Sequence, residues 1–89
     1  MAETRARLAD VPAEVVVTNH VMGLYELAAI HLSSDRPDLV SASLAIDAMA
    51  YIVDGLGARL GDDAPTMKDA LGNIKMAFVG LKAQSDRSA

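Results

Sequence analysis

The chain has 89 residues, no cysteine, 52% hydrophobic but only 3% aromatic residues, and a formal charge of −4. That length holds one domain with a limited core, and the missing thiols exclude a disulfide framework or a thiolate zinc site. The acidic balance argues against nucleic acid or an anionic membrane as a partner of the whole molecule.

Residues 1–10 are polar and charged and are expected to form a flexible N-terminal segment ahead of a single helical domain over 11–84. In Asp10-Val11-Pro12-Ala13-Glu14, Asp10 can cap a helix, Pro12 fits a first turn and Glu14 suits the positive end of the dipole. A first helix is predicted over 12–32. Val15, Val16, Val17, Val21, Met22, Leu24, Tyr25, Leu27, Ala28, Ile30 and Leu32 surround most of it, which is the pattern of a central, buried helix. Glu14, Asn19, His20, Glu26 and His31 interrupt the segment and speak against a membrane span. The run Val15-Val16-Val17-Thr18 also has strand character, but with no partner strand it reads as helix.

Ser33-Ser34-Asp35-Arg36-Pro37-Asp38 is a break and a restart, with Ser34 or Asp35 as cap and Pro37 in the first turn. The second helix, predicted over 38–60, carries Leu39, Ala42, Ile46, Met49, Val53, Leu56 and Leu60 at alternating spacings of three and four. Val40, Leu44, Tyr51 and Ile52 widen its apolar surface, Gly55 and Gly57 weaken its last turns, and Gly61 is expected to end it. After Asp62-Asp63-Ala64-Pro65 a third helix is predicted over 64–83, with Met67, Leu71, Ile74, Phe78 and Leu81 as its seam. Residues 85–89 are expected to be a flexible tail. The fold class is all-α: an antiparallel three-helix protomer, expected to assemble into a helical homo-oligomer.

Few residues suggest chemistry. Gly55-Leu56-Gly57 lacks the preceding strand of a phosphate-binding loop and reads as a soft helix end. His20 and His31 lie about 16 Å apart along one helix at about 1.5 Å per residue, too far to share a metal. Asp47 and Asp54, two turns apart, read as the solvated side of the second helix. Glu26, in a helix that looks buried, is expected to pair with Arg36, Arg59 or Lys75. Met49 and Met67 fall on the seams, while Met76 falls beside one and suits partner contact. Lys68, Lys75 and Lys82 recur every seven residues and read as a solvated basic face. No catalytic residue, cofactor site or metal site is predicted.

The segments Asp10-Val11-Pro12-Ala13, Val15-Val16, Ala45-Ile46 and Leu71-Gly72-Asn73-Ile74-Lys75-Met76-Ala77-Phe78 resemble the bacterial family of unknown function numbered 1844, in its actinobacterial form. The likeness covers residues 8–82. It implies a compact helical protein with no known enzymatic site and transfers no functional residues. It also implies a gene neighbourhood shared with translation initiation factor three.

The expected function is a non-enzymatic, cytoplasmic protein–protein interaction module that self-associates through its first and second helices into a homodimer or larger oligomer. The candidate interface residues are Val16, Val17, Val21, Leu24, Ile30, Tyr51 and Met76. The alternatives are a translation- or ribosome-associated accessory factor and a small adaptor subunit of a larger complex. The net charge and the scarcity of stacking rings weigh against the first of these.

Overall fold

The structure is a computed structural model and describes residues 5–6 and 9–88. It is all-helical, with no strand among the described residues. Helix α1 spans Ala13–Ser33 and α2 spans Leu39–Leu56; a 3-10 segment, Gly57–Asp63, leads directly into α3, Ala64–Ser88. Where a loop was expected between the second and third helices, the 3-10 segment with its non-helical Gly61 joins them directly. The turn is made inside this segment. Gly57 (φ 52°) and Gly61 (φ 83°) leave the right-handed helical region and fold α3 back along α2.

Local chemistry sets the boundaries, with several differences from the expected caps. The N-cap of α1 is Pro12, with no side-chain cap; its carbonyl accepts from the N–H groups of Val15 (3.0 Å) and Val16 (3.4 Å). The cap of α2 is Asp38, so Pro37 precedes the cap instead of lying in the first turn. Ser34, expected as a cap, donates its hydroxyl to the Arg36 carbonyl at 2.8 Å. The α-helical part of α2 ends at Leu56, earlier than Gly61, because Gly57 caps it and donates its N–H to the Val53 carbonyl. The expected tail does not begin after Gln84, since α3 runs on to Ser88. Most of the expected flexible segment 1–10 lies outside the described residues; Arg5, Ala6, Ala9 and Asp10 are helical and exposed.

All three α-helices contact one another, and the 3-10 segment touches each of them. Glu14 and Val15 share a cleft with Leu60 and Gly61, which places the start of α1 at the end of α2. Pro37 adjoins Leu81 and Gln84, which places the start of α2 at the end of α3. Successive helices are thus antiparallel. The core is built from Val21, Ala28 and Leu32 of α1, the seam Ala42, Ala45, Ile46, Met49 and Val53 of α2, Leu60, and Met67, Leu71 and Ile74 of α3. Ala42, Ile46, Met49, Val53 and Leu60, and Met67, Leu71 and Ile74, are members of the seams whose three-and-four spacing is visible in the sequence; Leu39, Leu56, Phe78 and Leu81 of those seams are partly buried, and Ala45 joins the core from outside them.

Helix α1 is not the fully enclosed helix its composition suggests. Only Thr18, Val21, Ala28 and Leu32 are buried, whereas Val15, Leu27 and Ile30 are exposed. Two neighbours cover only part of a helix's circumference, so an all-round apolar helix must leave some of its apolar side chains outside. Glu26 lies on the exposed part and makes no ion pair among the described residues, which removes the expected buried pairing. By length and composition alone, α1 and the run from Leu39 are long and apolar enough to cross a bilayer; the core helix of a water-soluble bundle meets the same measure.

Candidate interaction surface

Helix α2 carries a second apolar row besides its core seam. Val40, Leu44 and Tyr51 follow one another at steps of four and seven, with Asp47 between them, so all four share one helical face. Val40 is 83% exposed and Tyr51 81% exposed, values rare for such large apolar bodies. Helix α3 presents Met76 and Val79, also exposed.

Beside these rows a groove of about 210 Å³ runs between the two helices, lined by Ser43, Ile46 and Asp47 of α2 and by Lys75, Phe78 and Val79 of α3; of the exposed apolar residues, Val79 lines it directly. The surface continues over Lys75, Met76, Val79 and Gly80. Ile46 and Phe78 form the apolar floor of the groove, while Asp47 and Lys75 stand on opposite walls. Both are exposed, and neither forms an ion pair or hydrogen bond among the described residues. Lys82, at the end of the basic row, reaches Asp86 one turn on at 3.5 Å, an exposed pair of little energetic weight.

The predicted interface residues divide into three groups. Val21 is 0% exposed and belongs to the protomer's own core, so it has no surface to offer a partner. Its position at the centre of α1, facing α2 and α3, is the reason. Val16, Val17 and Leu24 are half-buried on α1. Ile30, Tyr51 and Met76 are exposed, but they sit on three different helices, and Tyr51 and Met76 belong to the α2–α3 face. Val40, Leu44 and Val79 complete that face. The offset row Val40–Leu44–Tyr51, straddling the charged Asp47, is the sequence signal for it.

A second cleft, about 450 Å³, opens where the start of α1 meets the 3-10 segment and carries Glu14, Asp62 and Asp63. The side chains are exposed, and among the described residues no three of His, Asp and Glu stand close enough to share a metal ion. The Thr18 hydroxyl beside it is enclosed and lacks a hydrogen-bond partner among the described residues. His20 is exposed, and its Nδ1 lies 2.8 Å from the Val16 carbonyl one turn back. His31 is half-buried near the end of α1, where its carbonyl accepts from the Asp38 N–H at 3.0 Å. The His20 ring is thus held by its own helix while His31 contributes its backbone carbonyl, and no arrangement of nucleophile, base and acid is assembled among the described residues.

No known protein family, no curated protein and no solved structure matches this chain.

Proposed function

We propose that this chain is a non-enzymatic helical interaction module: an antiparallel three-helix protomer that binds copies of itself, most simply as a homodimer, in the cytoplasm. The observation that carries the reading is the uncovered apolar face formed by Val40, Leu44, Tyr51, Met76 and Val79. The proportions of the protomer support it. Its accessible surface is 6297 Å², against about 5,000 Å² for a compact folded monomer of 9.3 kDa. Its radius of gyration is 15.5 Å, against about 12 Å for 89 residues packed as a globule, and its dimensions are 52 × 28 × 15 Å. A slab this thin has a high ratio of face to interior.

Burying one large aliphatic side chain is worth about 1.5–3 kcal/mol. Val40, Leu44, Met76 and Val79, with the ring of Tyr51 beside them, supply a drive of several kcal/mol, from which the cost of immobilising two bodies is subtracted. The resemblance to the family numbered 1844 is part of the same proposal and is compatible with a protein that has no catalytic site. Light scattering or sedimentation equilibrium over a wide concentration range tests the reading. A mass of twice 9.3 kDa or a higher multiple is expected. A mass of 9.3 kDa at every concentration would overturn it and would favour a foreign protein as the occupant of the face.

A further inference from the structure

This inference rests on the self-association proposed above and concerns its geometry. We infer that two copies meet about a two-fold axis running along the α2–α3 groove, parallel to the helices, so that α2 of one protomer lies on α3 of the other and Asp47 meets the partner's Lys75.

A face made of two parallel-lying helices can meet its own copy through an in-plane two-fold in two ways. With the axis across the helices, α2 lies on the partner's α2, and Asp47 approaches the partner's Asp47 when the faces are centred on the groove. With the axis along the groove, each residue keeps its level while α2 and α3 exchange sides. Asp47 and Lys75 stand on opposite walls of that groove, and neither has a partner within the chain among the described residues. The second arrangement therefore satisfies both charges twice, once on each side of the axis, whereas the first sets like charges against each other.

The same relation recurs along the helices. Because α2 and α3 are antiparallel, a step of seven residues forward from Asp47 and seven back from Lys75 brings Asp54 level with Lys68. The axis along the groove sets Asp54 against the partner's Lys68 as well. It also brings Leu44 level with the partner's Phe78, between the partner's Met76 and Val79, above the apolar floor of Ile46 and Phe78. The product is a four-helix core of α2, α3 and their two copies, neighbours antiparallel, with α1 on the outside of each half. The protomer's surface exceeds that of a compact monomer by about 1,300 Å².

Charge reversal in trans is the test. Asp47→Lys and Lys75→Asp are prepared separately, mixed in equal amounts, and also combined in one chain, and each sample is followed by sedimentation velocity. Both side chains are exposed, and circular dichroism of each variant verifies that its helices are intact. Each single variant is expected to dimerise about tenfold or more weakly than wild type, because every dimer holds the altered pair twice. The equimolar mixture and the doubly reversed chain are expected to regain dimer mass. A wild-type dimer whose single variants associate unchanged, or whose mixture is no tighter than either single variant alone, overturns this geometry while leaving self-association standing. A wild type that is monomeric throughout overturns self-association itself.

Discussion

Asp38 holds Ser41 with both carboxylate oxygens: Oδ1 accepts the Ser41 backbone N–H at 3.0 Å, and Oδ2 accepts its hydroxyl at 2.7 Å. This closes the first turn of α2 and satisfies one of the N–H groups that a helix start leaves without a partner. The backbone bond from Ser41, then its side-chain bond, hold the Asp38 carboxyl below its ordinary value; the charge of His31 acts in the same direction, and slight desolvation opposes them.

Replacing Asp38 by Ala is therefore expected to lower the thermal midpoint, with Asn, which keeps an acceptor oxygen, losing less. The pH dependence has a definite sign. The folded chain binds the Asp38 proton more weakly than the unfolded chain, so the charged carboxylate favours folding. Its contribution is fully present above the ordinary value of 3.8 and is lost as pH falls through the lower value of the folded state. Thermal melts of wild type and Asp38→Ala at a series of pH values, at one fixed protein concentration, should converge on the acid side. A gap that persists unchanged in acid would show that the cap acts through its shape alone.

Ile46 and Ile74 are 6% and 4% exposed and face each other's helices in the core. Truncating either to Ala is expected to cost about 2–5 kcal/mol in urea unfolding, from lost burial and the cavity left behind. Ile30, an exposed isoleucine on α1, should change stability by no more than about 0.5 kcal/mol on the same substitution. Equal losses at all three positions would show that α1 turns a different side to the core.

Gly61 lies at φ 83°, ψ −151°, a region that residues with a Cβ essentially do not occupy, and an added Cβ would stand 3.2 Å from Glu14 Cγ. Gly61→Ala is expected to destabilise the chain by about 1–3 kcal/mol. Gly55→Ala has open space around it and ordinary helical backbone, and should stabilise by about 0.5–1 kcal/mol through the lower entropy of the unfolded chain. Opposite signs at two glycines six residues apart, measured by chemical denaturation, would locate the fold-back at Gly61.

Thr18 is buried in α1, and its hydroxyl has no partner among the described residues. An enclosed hydroxyl without a hydrogen bond carries its desolvation penalty uncompensated, so Thr18→Val should raise stability by about 1 kcal/mol. Thr18→Ser, which keeps the hydroxyl and removes the methyl group, should lower it. A loss with Val would mean that the hydroxyl has a partner in the folded protein.

The sequence by itself determined the local features. Proline and aspartate near 10–12, 35–38 and 62–65 mark where helices begin. The alternating spacing of Ala42, Ile46, Met49 and Val53, and of Met67, Leu71 and Ile74, assigns the buried seams. Both signals act within a few turns of one helix, where geometry ties residue spacing to direction. Tertiary structure decided what spacing leaves open. Val21 and Ile30 are equally apolar neighbours on one helix, yet only Val21 faces α2 and α3, because two flanking helices cover one sector of an all-round apolar cylinder. Capping depended on which of several carboxylates and hydroxyls reached a free N–H, and that fell to Asp38 and not to Ser34 or Asp35. The approach of Asp47 and Lys75 across one groove arises only when the chain folds back at Gly57 and Gly61, since 28 residues separate the two in sequence and no periodicity within either helix relates them.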